Sequence, residues 1–160
     1  MEIIIFTDGA SKGNPGPSGI GAVIEMSGEK KEYFQYIGNE RTNNEAEYEA
    51  LIFALKKVKS LLGKVKSKKA ILKCHSDSEL LVRQLSHQYK IKEARIQKYF
   101  IEIWNLMLDF EKVSFFHIPR EENKRVDFLA NEALRQAPFD KLRASRAGPS
   151  VNSGYKQGRF

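Results

Sequence analysis

Asp8, Glu47, Asp77 and Asp127 are the side chains whose type and placement suit them to chemistry. Glu47 lies in T-N-N-E-A-E-Y-E-A-L, residues 42–51, with Glu45 and Glu49 as neighbours. At ~100° per residue Glu47 falls on the stripe of Leu51, Ala54 and Val58, whereas Glu45 and Glu49 lie roughly 200° from it in opposite senses. The phase predicts Glu45 and Glu49 as solvated acids near a helix start, where they also favour the positive end of the helix dipole. A carboxylate on an apolar stripe is costly unless it is paired, protonated or metal-bound, or reaches water from the helix edge. Asp8 closes the first predicted strand, Asp77 the fourth, and Asp127 sits in the first turn of the last helix. Singly they read as a turn aspartate, a helix-cap acid and a first-turn acid. Jointly they read differently, because α/β sheets build sites at the carboxyl ends of strands and the helix starts that face them.

Four hard oxygen donors without a Cys or His cluster suit Mg²⁺ or Mn²⁺, not zinc. Clustered carboxylates repel one another, and cations relieve that repulsion. Two such ions ~4 Å apart serve in-line phosphoryl displacement, one activating water and the other stabilising the leaving oxygen.

The elements that must position these acids follow from the patterning. E-I-I-I-F-T (2–7) reads as a buried strand, followed by the turn-rich G-A-S-K-G-N-P-G-P-S-G. Residues 19–26 and 31–37 read as the next two strands of a meander, joined at Ser27-Gly28. From Asn43 apolar residues recur at helical spacing, predicting a helix over 43–62 capped by Thr42 or Asn43 and stopped by Gly63. A strand ends near Ser76. A capping box from Ser76 to Glu79 opens a helix to about Leu85. A longer helix is predicted over 94–110, a strand over 113–118, and a last helix carrying Val126, Leu129, Ala130, Ala133 and Leu134. The order implies a mixed α/β sheet flanked by helices. The domain is placed at 1–136, with 137–160 as a basic, poorly ordered tail.

The chain has 160 residues, enough for one domain with a hydrophobic core. No apolar run approaches the ~20 residues of a membrane span, and the N-terminus lacks signal-peptide character. The single cysteine, Cys74, excludes an intramolecular disulfide and favours a cytosolic home. The net charge of +7 suits a nucleic-acid partner. Residues 138–160 account for +4 of it: Lys141, Arg143, Arg146, Lys156 and Arg159 against Asp140.

F-T-D-G-A-S-K-G-N-P-G-P-S-G-I-G-A (6–22), T-N-N-E-A-E-Y-E-A-L (42–51), H-S-D-S-E-L-L-V-R-Q-L (75–85) and P-R-E-E-N-K-R-V-D-F-L-A-N (119–131) together resemble the type-one ribonuclease H family. The resemblance covers about residues 1–136. It implies a five-stranded mixed sheet with the second strand antiparallel to the rest. It also implies endonucleolytic cleavage of RNA in RNA–DNA hybrids, leaving 3′-hydroxyl and 5′-phosphate ends. The family's metal carboxylates map onto Asp8, Glu47, Asp77 and Asp127, with two Mg²⁺ (or Mn²⁺) ions in the substrate complex. Gly9, Ala10, Asn14, Asn43 and Asn44 are implied to line the grooves of the hybrid, whose 2′-hydroxyls distinguish RNA from DNA. For Asn14 turn chemistry, and for Asn43 and Asn44 helix capping, stand beside that role.

The resemblance is incomplete in two places. Where many members carry a histidine in the loop before the last aspartate, this chain has P-R-E-E-N, so Arg120 and Asn123 are preferred as substrate-binding residues over His117. His75 and His87 read as structural or surface residues. The basic helix that some members insert to grip the hybrid is reduced here to H-Q-Y-K-I-K-E-A-R, with Lys90 and Lys92, which predicts weaker, more salt-sensitive binding. A monomer is expected. The alternatives are a catalytically silent nucleic-acid-binding module on the same fold and a nuclease with additional double-stranded RNA or DNA activity. A flavodoxin-like ligand binder is disfavoured, because the prolines of G-N-P-G-P remove N–H donors from a phosphate cradle.

Overall fold

A computed structural model describes the backbone of residues 1–147 and the side chains of residues 1–137. β-branched and aromatic runs form β1 (Glu2–Ser11), β2 (Gly16–Met26) and β3 (Glu29–Arg41), an antiparallel meander. The chain then alternates: α1 (Asn43–Ser67), β4 (Ile71–Ser76), α2 (Glu79–Leu85), α3 (Ala94–Met107), β5 (Lys112–His117) and α4 (Lys124–Ala147), with a 3-10 turn at Arg120–Glu122. The five strands form one sheet in the order β3-β2-β1-β4-β5. β4 pairs in parallel with both β1 and β5, so β2 alone runs against the others, as the resemblance implies.

Alternation along β1 and β2 divides the molecule into two cores. Ile3, Ile5, Ala22 and Ile24 face α1 and α3, where they meet Tyr48, Leu51, Leu55, Val58, Ile96 and Ile103. On the other face Val23 packs with Val126 and Leu129 of α4, backed by Phe6 and Phe34. The side-chain period of two in a strand produces this split.

Several boundaries differ from the sequence reading. β1 and β2 extend through the Gly- and Pro-rich stretch, so Asp8 lies within β1 and not at its end. Ladder pairing to β2 through Ser11↔Ser18 overrides the local turn propensity. The cap of α2 is Ser78, whose side chain accepts from Leu81 N, while Ser76 Oγ accepts from Ser78 N at 3.0 Å. Gly63 (φ 81°, ψ 172°) interrupts α1 where a stop was predicted, and a further helical turn follows it. The helix predicted over 94–110 ends at Met107. α4 continues past 136 to Ala147; the remainder of the predicted tail, 148–160, lies outside the described residues. Among the described residues no helix is long and apolar enough to cross a membrane.

Candidate active site

The β1–β4 ladder ends at Phe6↔His75, whereas β1 stays paired with β2 through Ser11↔Ser18. Asp8 and Asp77 stand two residues beyond the last β1–β4 pair, in matching register. Past that point side chains take over from the ladder. Gly9 N donates to Glu47 Oε1 at 3.2 Å, and Asn123 Nδ2 donates to the Thr7 carbonyl at 3.2 Å. These two bonds draw the first turn of α1 and the entry to α4 onto the open end of β1.

Close packing lets both helices arrive. A Cβ at Gly9 would lie 2.4 Å from Ala46 C and 2.6 Å from Glu47 N, both backbone atoms of α1. A Cβ at Gly21, the β2 partner of Asp8, would lie 2.6 Å from the Val126 carbonyl of α4. Contacts that short do not occur with a real Cβ, so these two glycines set the approach of the helices that deliver Glu47 and Asp127.

The result is a cluster of acids. Asp8, Glu47 and Asp77 each offer a carboxylate oxygen, all within 4.8 Å of one another. Asp127 stands beside Asp8, close enough for their carboxyls to hydrogen-bond. Burial, then the Glu47, Asp77 and Asp127 charges, push the Asp8 carboxyl far above the usual carboxylate range. Burial and the Asp77 charge raise Glu47 as well, against the opposing Gly9 N–H and the Arg120 guanidinium. A partly buried, mutually repelling set of hard oxygen donors fits a divalent cation of the Mg²⁺ or Mn²⁺ type. Asp8, Glu47 and Asp77 would hold it, with Asp127 adjoining.

The other predicted residues fall in distinct places. Asn14 and Asn43 are exposed and joined, Asn43 N donating to Asn14 Oδ1 at 2.7 Å. Thr42, and neither asparagine, caps α1. Ala10 and Gly9 are half-buried on β1, and Asn44 is half-buried with an unpartnered Oδ1. Arg120 is exposed, and its charge acts on Glu47. Asn123 is 2% exposed and ties α4 to β1, a placement that serves anchoring more directly than contact with a ligand. His117 is exposed at the end of β5. His75 is stacked between Phe6 and Phe116, with ring centroids 4.8 and 5.3 Å away, and His87 packs edge-on to Phe100.

One sequence expectation is overturned. Glu45 and Glu49 are not solvated acids. Glu45 is 5% exposed; its Oε1 accepts from Thr42 N at 2.8 Å and its Oε2 pairs with Arg95 at 3.4 Å. Glu49 Oε2 accepts from both Arg41 Nε and Tyr99 Oη. Helical phase gives only the direction of Cα–Cβ. A capping box turns the third residue's carboxylate back over the helix start, and T-N-N-E carries that signature in the sequence.

Residues 6–133 match a family model described as reverse transcriptase-like. LC11-RNase H1, isolated from compost and solved in complex with an RNA/DNA hybrid, is 44% identical and superposes with a TM-score of 0.78 over 84% of this chain and 98% of that one. The chain belongs to the ribonuclease HI-like family. The ribonuclease HI-like fold is shared with RNase H1 of the archaeon Halobacterium salinarum, 33% identical with a TM-score of 0.77 over 85% of this chain and 99% of that one. The bifunctional protein Rv2228c of Mycobacterium tuberculosis is 36% identical over 140 residues, covering 86% of this chain. The chain spans 36% of the length of that mycobacterial relative.

Proposed function

We propose that this chain is a metal-dependent endoribonuclease that hydrolyses the RNA strand of RNA–DNA hybrids, leaving 3′-hydroxyl and 5′-phosphate ends. The observation that carries the reading is the convergence of Asp8, Glu47 and Asp77 within 4.8 Å, from β1, α1 and the connection between β4 and α2, in a chain of this family. The hybrid bound to LC11-RNase H1 supports the substrate class. Two Mg²⁺ or Mn²⁺ ions bound by the acids would activate the attacking water and stabilise the leaving oxygen.

The chain's own groups orient the reaction. Gly9 N–H fixes the Glu47 carboxylate, and the Asn123 bond to Thr7 fixes the start of α4 from which Asp127 projects. Arg120 places a positive charge beside the acids, where a backbone phosphate would lie. Gly9, Ala10, Asn14, Asn43 and Asn44 form the surface from which the hybrid's grooves are read. The protein acts as a monomer, and its buried free thiol, Cys74, accords with a cytosolic home.

The test offers the purified protein labelled RNA–DNA hybrid, duplex RNA and duplex DNA with Mg²⁺, Mn²⁺ or EDTA, alongside Asp8→Asn and Glu47→Gln. Cleavage confined to the RNA of the hybrid, and lost with EDTA and in both variants, is expected. Absence of cleavage by the unaltered protein with either metal would overturn the proposal.

A further inference from the structure

Glu49 lies two residues past Glu47, on the other side of α1, and plays no part in the acid cluster, yet it is the meeting point of three elements. Its Oε2 accepts from Arg41 Nε at 2.5 Å, at the end of β3, and from Tyr99 Oη at 2.5 Å, in α3. The side chains of Glu49 and Arg41 are 19% and 35% exposed, so the pair is only partly screened by water. The Arg41 main chain is held from the opposite side as well. Its carbonyl accepts from Ser11 Oγ at 2.9 Å and from Ser18 Oγ at 3.3 Å, at the ends of β1 and β2.

Arg41 immediately precedes the segment that bears Thr42, Asn43 and Asn44. With its carbonyl bonded to two strands and its guanidinium bonded to Glu49 of α1, which Tyr99 of α3 also holds, the orientation of the peptide leading into that segment is determined. Thr42 N to Glu45 Oε1 and Asn43 N to Asn14 Oδ1 complete the arrangement. The backbone donors of 42 and 43 are thereby satisfied internally, and the exposed Asn43 side chain is left to face a ligand.

We propose that Glu49 is a positioning residue for substrate: through Arg41, and together with Tyr99, it pre-organises the 42–44 segment for the hybrid. This rests on the proposed hybrid-cleaving function. It assigns Glu49 a task separate from that of Glu47, two residues away. The carboxylate charge matters because one oxygen takes a guanidinium and a phenol together, and charged acceptors bind such donors more strongly than an amide does. Glu49→Gln keeps the shape and weakens both bonds; Tyr99→Phe removes one.

The experiment measures KM and kcat for an RNA–DNA hybrid at saturating Mg²⁺ in the unaltered protein, Glu49→Gln, Tyr99→Phe and Arg41→Ala, with thermal unfolding alongside. Amide hydrogen exchange of residues 42–44 is followed in the absence of substrate. The expected result for Glu49→Gln is a KM raised about tenfold with kcat within about twofold, the size of effect that follows from losing a charge-assisted bond at pre-organised binding groups. Tyr99→Phe raises KM less. Arg41→Ala combined with Glu49→Gln is no worse than Arg41→Ala alone, because both act through one contact. Faster exchange at 42–44 accompanies each change, and the midpoint of unfolding moves little. A fall in kcat at unchanged KM, or unchanged KM with unchanged exchange, overturns the positioning role. If the unaltered protein cleaves no hybrid, the functional reading fails on its own, and the exchange measurement still decides whether Glu49 orders the segment.

Discussion

Gly9→Ala tests the geometry of the site without touching a carboxylate. The added methyl would sit 2.4 Å from Ala46 C, 2.6 Å from the Ala46 carbonyl oxygen and 2.6 Å from Glu47 N. These are backbone atoms in a well-packed helix, so no side chain can rotate away. Restoring ordinary contact at 3.4 Å requires α1 to retreat from β1 by about 1 Å. Forcing a methyl into such packing costs about 1–3 kcal/mol. In a domain of this size that lowers the unfolding midpoint by roughly 2–12 °C. The same retreat stretches the 3.2 Å bond from Gly9 N to Glu47 and carries Glu47 away from Asp8. A displacement of ~1 Å in catalytic geometry typically costs about a hundredfold in rate. The expected outcome is therefore a less stable protein with kcat on a hybrid substrate reduced about a hundredfold and weakened Mg²⁺ dependence. The assay is a thermal melt paired with steady-state kinetics across a Mg²⁺ titration. If Gly9 served only as a groove contact, KM would rise while the melt and kcat stayed put. That result, or a variant indistinguishable from the parent, would refute the packing argument.

Three further outcomes follow from the charges. Because burial and neighbouring acids raise the Asp8 and Glu47 carboxyls in the folded state, the fold holds protons that the unfolded chain releases, and metal-free stability falls as pH rises above the ordinary carboxylate values. Asp8→Asn should flatten that fall, stabilising the metal-free protein by on the order of 2 kcal/mol at pH 8 while abolishing cleavage and the stabilisation by Mg²⁺; urea unfolding between about pH 5 and about pH 8, with and without Mg²⁺, checks it. Glu45→Gln should cost about 1 kcal/mol through the capping box and retain most activity, whereas Glu47→Gln should lose activity with little loss of stability; equal losses of activity in the two would contradict the assignment. Burial pushes the Cys74 thiol up to about 12, so it should resist thiol reagents at pH 8 in the native protein and react promptly in urea.

Much of the site is legible from spacing, and the exceptions have identifiable causes. Glu47 is flagged by helical phase because Leu51, Ala54 and Val58 define a face that the structure buries completely or nearly so. Asp8 and Asp77 are legible as partners once the first and fourth strands are taken as neighbours, which parallel pairing realises. What spacing does not show is how far β1 extends. Gly9 through Ser11 read locally as turn, and cross-strand bonds to β2 hold them extended. Nor does phase show where a carboxylate goes after its Cβ, so the capped Glu45 and the bridging Glu49 are misread as solvated. The burial of Asn123 escapes for a related reason: its partner is the Thr7 carbonyl, a main-chain group 116 positions earlier that no side-chain pattern marks.

Helix packing is what allows the cluster to exist at all. Four acids brought to one point oppose folding, and no local preference of 8, 47, 77 or 127 favours their meeting. They converge because the helices carrying two of them are committed elsewhere: α1 through Leu51, Leu55 and Val58 on one face of the sheet, α4 through Val126 and Leu129 on the other. Gly9 and Gly21 let both helices seat against adjacent strands at backbone contact distance, so apolar burial along their lengths offsets repulsion at their first turns. A cation bound between the acids relieves the remaining strain, which couples metal affinity to helix packing. A packing change that alters no carboxylate, such as Gly21→Ala beneath Val126, therefore weakens Mg²⁺ binding through Asp127, whereas truncating an exposed residue of α3 such as Trp104 leaves it unaltered. Isothermal titration of the two variants with Mg²⁺ separates the cases, and equal affinity in both would show that the acids are held by their own hydrogen bonds and not by the helices behind them.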